Sequence, residues 1–199
     1  MGIAENWRSF CGWINDPQRV GSVASTGGAL ARRIADLVLP SDAPLIELGA
    51  GTGAFAQELL ARGLPQHRLA LIELGSEFAE FLRLTYPEAT VLGVAALGDT
   101  GLFRGEKAAA VICSLPMHAL PARQVSAILA GAFAHLRPGA AFYQLGFGPR
   151  FPIRSGILDR LGLKAERLDT VRENTPPASI HRITRWSPGL AKEADLLHQ

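Results

Sequence analysis

A chain of 199 residues, 48% hydrophobic and 19% charged, can bury one substantial core and is too apolar to stay disordered. Its net charge of +2 is far from that of a dedicated nucleic-acid binder, and its two cysteines, Cys11 and Cys113, lack metal-ligand spacing. Nothing approaches the about eighteen consecutive apolar residues of a membrane span, and residues 1–6 lack the basic start of a secretory signal. A cytoplasmic protein with reduced thiols is expected.

The first element is read as an amphipathic helix over 2–14. Ile3, Trp7, Phe10 and Ile14 recur at helical spacing, Glu5, Arg8, Ser9 and Asn15 lie elsewhere, and Asp16-Pro17 ends the run. A second helix starts near Thr26, a good N-cap, buries Leu30, Ile34, Leu37 and Val38, and stops at Pro40. Strands and helices then alternate: strand 44–48, helix 54–62, strand 69–73, helix 77–85, strands 90–94 and 108–114, helix 122–135 and strand 140–146. Pro65, Pro87 and Pro138-Gly139 punctuate them. This alternation implies right-handed crossovers and a parallel sheet. Beyond a turn-rich stretch at 148–154, two strands, 163–172 and 179–186, form an antiparallel hairpin through Asn174-Thr175-Pro176-Pro177. The expected fold is α/β: a Rossmann-like sheet of seven strands, mostly parallel with an antiparallel last strand. A helical extension (1–40) precedes the main domain (41–199).

Chemistry enters at Leu45-Ile46-Glu47-Leu48-Gly49-Ala50-Gly51-Thr52-Gly53. An apolar strand closes on an acid and gives way to alternate glycines, then to a helix, so backbone can approach a ligand with no Cβ between. Glu73, followed by Leu74, ends the next strand, where a carboxylate can accept from two ribose hydroxyls. Gly49-x-Gly51-x-x-Ala54 also satisfies a loose dinucleotide fingerprint, and a chance match in a globular core is the bland reading. Two details favour S-adenosylmethionine over NAD. Gly53 lets the loop curl around an amino-acid moiety, and Glu47 would oppose a pyrophosphate but suits an ammonium.

Several patterns together resemble one family, the bacterial phospholipid N-methyltransferases acting on phosphatidylethanolamine, a group of class I methyltransferases. They are Trp13 through Pro17 with Val20-Gly21-Ser22-Val23, the Glu47-to-Gly53 loop, Cys113-Ser114-Leu115-Pro116-Met117, Tyr143-Gln144 with Gly148-Pro149-Arg150, and Asn174-Thr175-Pro176-Pro177-Ala178. The resemblance runs from about Phe10 to Arg185. It implies an S-adenosylmethionine donor, no metal, stepwise methylation of ethanolamine toward choline head groups, and peripheral attachment to the anionic inner face of the cytoplasmic membrane. A monomer with no nucleic-acid partner is expected. The likeness departs at one place: the family's Gly-Asp-Ala-like segment reads Gly93-Val94-Ala95-Ala96, without the acid for the adenine amino group. Main-chain groups of Ala95 and Ala96, or Asp99, would then hold the ring.

The cofactor-binding set expected is therefore Glu47, Gly49, Ala50, Gly51, Gly53, Glu73, Leu74, Ala95, Ala96, Ser114 and Leu115. An amine as basic as lysine is neutral in only about one molecule in a thousand at pH 7, so a base or orienting group is sought among His118, Tyr143 and His181, beside Ser114. The bland readings are an exposed histidine at 118, a core tyrosine at 143 and a structural histidine at 181. Tyr143 and Phe142 alternate, so one of them is expected to face the crevice. Arg150 and Arg154, flanking Phe151, suit a lipid phosphate, with the aromatic stacking on a methylated ammonium; a solvated loop is the alternative. Ile3, Trp7, Phe10 and Ile14 form the membrane candidate. Full burial would gain on the order of 6–10 kcal/mol, enough for reversible docking; packing on the chain's own domain is the alternative. Methylation of another amino lipid such as an ornithine lipid, RNA adenine methylation, and a non-catalytic membrane protein that binds the cofactor are the competing functions. Ser114 stands where an RNA adenine enzyme needs Asn or Asp, and Met117 where it needs an aromatic.

Overall fold

The structure, a computed structural model, describes residues 27–38, 44–93, 102–147 and 150–186. The helix over 2–14, Thr26, Pro40, the 94–99 segment with Ala95 and Ala96, Gly148-Pro149 and the tail lie outside the described residues, and the helix expected to be capped by Thr26 has Gly27 as its N-cap instead.

Seven strands form one sheet: β1 (Leu45–Leu48), β2 (Leu69–Ile72), β3 (Thr90–Leu92), β4 (Ala108–Cys113), β5 (Leu136–Phe147), β6 (Leu163–Val171) and β7 (Ala178–Arg185). Their order is β3-β2-β1-β4-β5-β7-β6. The first five pair in parallel, and β7 runs antiparallel between β5 and β6. The chain winds outward from β1 to β3, then returns to place β4 on the other side of β1. The carboxyl ends of β1 and β4 thus flank the point where the winding reverses, and a crevice opens there.

Helices α1 (Gly28–Leu37), α2 (Ala54–Ala61), α3 (Ser76–Thr85), α4 (Ala122–His135) and α5 (Ser155–Arg160) cover both faces. Strands buried on both faces read as apolar runs, as Leu45–Leu48 and Ala108–Cys113 do. One cluster joins Ile46, Leu48, Ile72 and Cys113 to Ile128, Phe133 and Phe142, with Ile157 of α5 and Ile183 of β7. The other joins Leu45, Leu71 and Ile112 to Leu30 and Ile34 of α1, Phe55 of α2 and Leu82 of α3. Helix α1 follows its sequence pattern. Leu30, Ala31, Ile34 and Ala35 face inward, while Arg33 pairs with Asp169 and Asp36 with Arg62.

Two elements differ from the sequence reading. Strand β5 begins at Leu136, directly after α4, and runs through Pro138-Gly139 where a break was expected. Its start pairs Leu136 with Ala108, then the register shifts so that Ala110 faces Ala141. Helix α5 follows the turn-rich stretch 148–154, and the sequence reading gave its residues no element; six residues are too few to show a helical period.

Candidate active site

The donor side of the crevice is made chiefly of main chain. Gly49, Gly51 and Gly53 all take left-handed φ, at 76°, 54° and 78°. Gly53 is boxed in: a Cβ there would stand 2.7 Å from Tyr86 Cε2 and 3.1 Å from Leu82 Cδ2. Gly51 differs, because a Cβ there would meet nothing within 4 Å, so its backbone faces open space. That is the glycine at which a ligand can approach the chain.

Glu73 ties the two strand ends together. Its Oε2 accepts from Gly51 N at 2.7 Å, and its Oε1 accepts from Leu74 N at 2.7 Å and Gly75 N at 2.8 Å. A carboxylate can accept about four hydrogen bonds, so ribose hydroxyls must share this carboxylate with the loop amides or displace one of them. Ser114 was placed among the catalytic candidates. Its hydroxyl donates to the Gly49 carbonyl at 2.6 Å, with Leu48 O at 3.3 Å, and its amide donates to Leu48 O at 3.0 Å. This pins the end of β4 to the glycine loop. Leu115, named for the cofactor set, is buried against Gly49.

Glu47 corrects the sequence expectation. It does not stand at the crevice as a free carboxylate. At 1% exposure it lies beneath the loop, on the face of β1 shared with Leu45, and neither carboxyl oxygen has a hydrogen-bond partner. Burial pushes it up to about 8; the Ala56 main chain opposes this and the Glu73 charge adds to it. In the ligand-free protein at pH 7 it is therefore chiefly a neutral acid. An orphaned, buried acid under a glycine loop fits a cationic ligand arriving above it. The Gly51 opening and the Glu73 carboxylate fit a nucleoside with a ribose.

The acceptor side differs more from expectation. Tyr143, half-buried, packs against the same cluster as Leu45 and Leu145, while Phe142 fills the opposite cluster and stacks on Phe133. His118 is exposed, in a 3₁₀ turn after Pro116. His181 is buried, and its Nε2 accepts from Arg167 Nε at 3.4 Å. With Nε2 accepting, the neutral ring carries its proton on Nδ1 and has no second lone pair for a substrate. Burial and the Arg167 charge hold it below the ordinary imidazole range, the Gln144 main chain opposing, so the structural reading stands. Phe151 rests on that ring, centroids 4.7 Å apart, and is not free to stack on a ligand. Arg150 and Arg154 are both exposed; Arg154 caps α5.

Three residues brace the site although their roles were not assigned from sequence. Gln144, fully buried, donates from Nε2 to Leu115 O at 3.0 Å and Leu145 O at 2.7 Å, bracing the loop after β4. Tyr86 donates from its hydroxyl to Gly53 O at 3.3 Å. Asn174 accepts from Gly27 N at 2.8 Å and donates to Pro176 O at 2.7 Å. A polar residue inside an apolar run (Gln144), or closing a helix (Tyr86), is the signal that could have marked two of them. Among the described residues no group of His, Cys, Asp and Glu could hold a metal ion, and no helix is long and apolar enough to cross a membrane.

The methyltransferase domain family matches residues 45–139, from β1 into β5, and so takes in the glycine loop, Glu73 and the Ser114 clamp. The match supports an S-adenosylmethionine-dependent methyltransferase. No curated protein matches it significantly in sequence. Among solved structures it is similar to DesVI of Streptomyces venezuelae, at 16% identity over 94% of this chain and 99% of that one, TM-score 0.56. It is similar also to magnesium protoporphyrin IX methyltransferase (ChlM) of Synechocystis PCC 6803 with bound S-adenosylmethionine, at 13% identity, 89% and 96% coverage, TM-score 0.61. The glycopeptide N-methyltransferase MtfA complexed with sinefungin gives 14% identity, 80% and 94% coverage, and TM-score 0.61. At these identities the likeness establishes the class I methyltransferase fold, seven strands with an antiparallel ending, as the sequence led us to expect.

Proposed function

We propose that this methyltransferase acts on the amino head group of a phospholipid, adding methyl groups stepwise to phosphatidylethanolamine. What supports the reading is the acceptor side's make-up: buried Leu115 and Met117 beneath a half-buried Pro116, with the exposed guanidiniums of Arg150 and Arg154 beyond the end of β5. Apolar side chains after β4 and exposed cations after β5 suit an acyl-bearing phosphodiester. Two of the motifs that resemble the phospholipid enzymes, Cys113 through Met117 and Gly148-Pro149-Arg150, fall at or beside these segments.

The reaction is an in-line displacement. The amine lone pair forms a bond to the methyl carbon as the carbon–sulfur bond breaks, the pair goes to sulfur, and the nitrogen sheds a proton to water or to a nearby base. Before that, the acceptor ammonium must lose a proton at a cost of about 4 kcal/mol at pH 7. Burial beside a sulfonium lowers that cost, because desolvation and like charge both disfavour the cation. His118, exposed after Pro116, is the side chain offered for this proton, and Glu47, Glu73, Gly51 and Leu74 for the donor. Association with the anionic inner surface of the cytoplasmic membrane, through Ile3, Trp7, Phe10 and Ile14, belongs to the same proposal.

The deciding experiment incubates the protein with labelled methyl donor and phosphatidylethanolamine vesicles, and separately with ornithine-lipid vesicles and RNA. Counts in mono- and dimethylated phosphatidylethanolamine support the proposal. Counts confined to ornithine lipid or RNA, or to no acceptor, defeat it.

A further inference from the structure

We propose that Gln144 is a contact for the acceptor nitrogen: its side-chain amide oxygen accepts an N–H from the amine that receives the methyl group. The inference rests on the amino-lipid reading above and adds a residue that tells its successive steps apart. Gln144 is fully buried, yet its Oε1 has no hydrogen-bond partner. Turning the amide over does not relieve this. Its Nε2 donates to the Leu115 and Leu145 carbonyls at 3.0 and 2.7 Å, and a flip would set an oxygen against both carbonyl oxygens. The amide is thus fixed with its acceptor atom left over. A buried acceptor with no donor calls for an explanation, and a ligand that completes it is one.

Strand register puts Gln144 at the crevice end of the sheet. It pairs with Cys113, the last residue of β4, and so stands beside the Ser114–Leu115 turn that closes on Gly49. Across β7 its opposite is His181, on the same face, whose Nδ1 is likewise buried without a partner. A short strap covers both neighbours of Gln144 on this face. Phe151 rests on the His181 ring, Pro152 Cδ stands 3.4 Å from where a Cβ on Gly146 would be, and Ile153 anchors the strap in the core. The acceptor reaches the amide oxygen as this strap moves aside. An amide oxygen suits the task better than a carboxylate, because it orients an N–H without a charge that would hold the amine as unreactive ammonium. Each of the first two transfers replaces one N–H by N–CH3, the proton leaving to water or a nearby base. The neutral nitrogen therefore carries two N–H groups in phosphatidylethanolamine, one after the first transfer and none after the second. Gln144 assists the first two transfers and has nothing to accept in a third.

Gln144→Met keeps the side chain's length and removes its oxygen. The test measures kcat/KM of wild type and variant with labelled methyl donor on vesicles of phosphatidylethanolamine, its monomethyl derivative and its dimethyl derivative, and donor affinity by calorimetry. The variant should fall at least ~10-fold on the first two lipids and stay within ~2-fold of wild type on the third and in donor affinity. An equal fall on all three lipids, or a matching loss of donor affinity, overturns the proposal and leaves Gln144 only as the brace of Leu115. No fall on any lipid overturns it as well. Where wild type stops at the dimethyl product, the first two lipids and the donor affinity decide in the same way. A wild type that binds the donor but methylates none of the three lipids defeats the phospholipid reading, and this inference with it.

Discussion

Replacing Glu47 with Gln keeps the shape of the side chain and removes its titration. In the folded protein this acid sits at about 8 against an ordinary 4.5, because burial without a hydrogen-bond partner disfavours the charged form. A raised folded-state value means that the contribution is complete below pH 4.5 and is lost as pH climbs toward 8. By pH 7 the unfolded chain has gained about 2.5 units of ionisation that the folded chain resists, worth ~3 kcal/mol at 1.36 kcal/mol per unit. The wild type should therefore lose on the order of 3 kcal/mol of stability between pH 5 and 8 that Glu47→Gln does not lose. Urea unfolding at half-unit pH intervals measures the difference between the two curves, with the slope on denaturant as a check that the transition is unchanged. The donor's cations act in the opposite sense, favouring the ionised acid, so donor binding at pH 7 should release protons from wild type and none from the variant. Calorimetry in two buffers of different ionisation enthalpy counts them. Parallel stability curves from pH 5 to 8 would refute the argument that Glu47 is a buried neutral acid.

Gly53→Ala combines a left-handed φ with a 2.7 Å clash against Tyr86, so it should cost about 2–4 kcal/mol in thermal or urea unfolding; Gly63→Ala, with φ +92° and open space, should cost only about 1. Glu73→Ala leaves the Gly51, Leu74 and Gly75 amides without their carboxylate and should weaken donor binding at least ~10-fold by calorimetry. Asn174→Ala removes the latch on Gly27 and should cost about 1–3 kcal/mol, read from the urea midpoint. Cys113, pushed up to about 12 by burial, should resist thiol reagents in the folded protein and react only once urea unfolds it.

The fold was legible because its signals are local. Apolar runs such as Leu69–Ile72 bounded by proline or glycine allow few readings, and the glycine loop names itself, since left-handed backbone at alternate positions demands that residue type. Pro138-Gly139 misled for the same reason. The pair ordinarily ends an element, yet here the adjoining strand β4 absorbs it through a register shift, a fact of pairing that no local window contains. Glu47 shows the limit more sharply. Its identity suggested a charge for a cation, whereas its parity with Leu45 along β1 aims it into the cluster that α1, α2 and α3 cover, where the charge is suppressed.

The two halves of the site divide along that line. The donor half is largely backbone held in shape by neighbours within a few residues, apart from the long-range contributions of Glu73 and Ser114. A chain of any acceptor specificity can keep it. The half proposed for the acceptor is assembled from distant segments: Gln144 braces Leu115 from β5, Phe151 covers His181 from the far side of an irregular stretch, and Asn174 ties Gly27 to the β6–β7 turn. Each of these contacts depends on strand order and register, and each lies at or outside the margin of the 45–139 match. Acceptor choice should therefore change through substitutions at 144, 150–154 and 174 while donor affinity holds. If exchanging those segments with another methyltransferase altered donor binding as much as acceptor selection, the division drawn here between the two halves would be false.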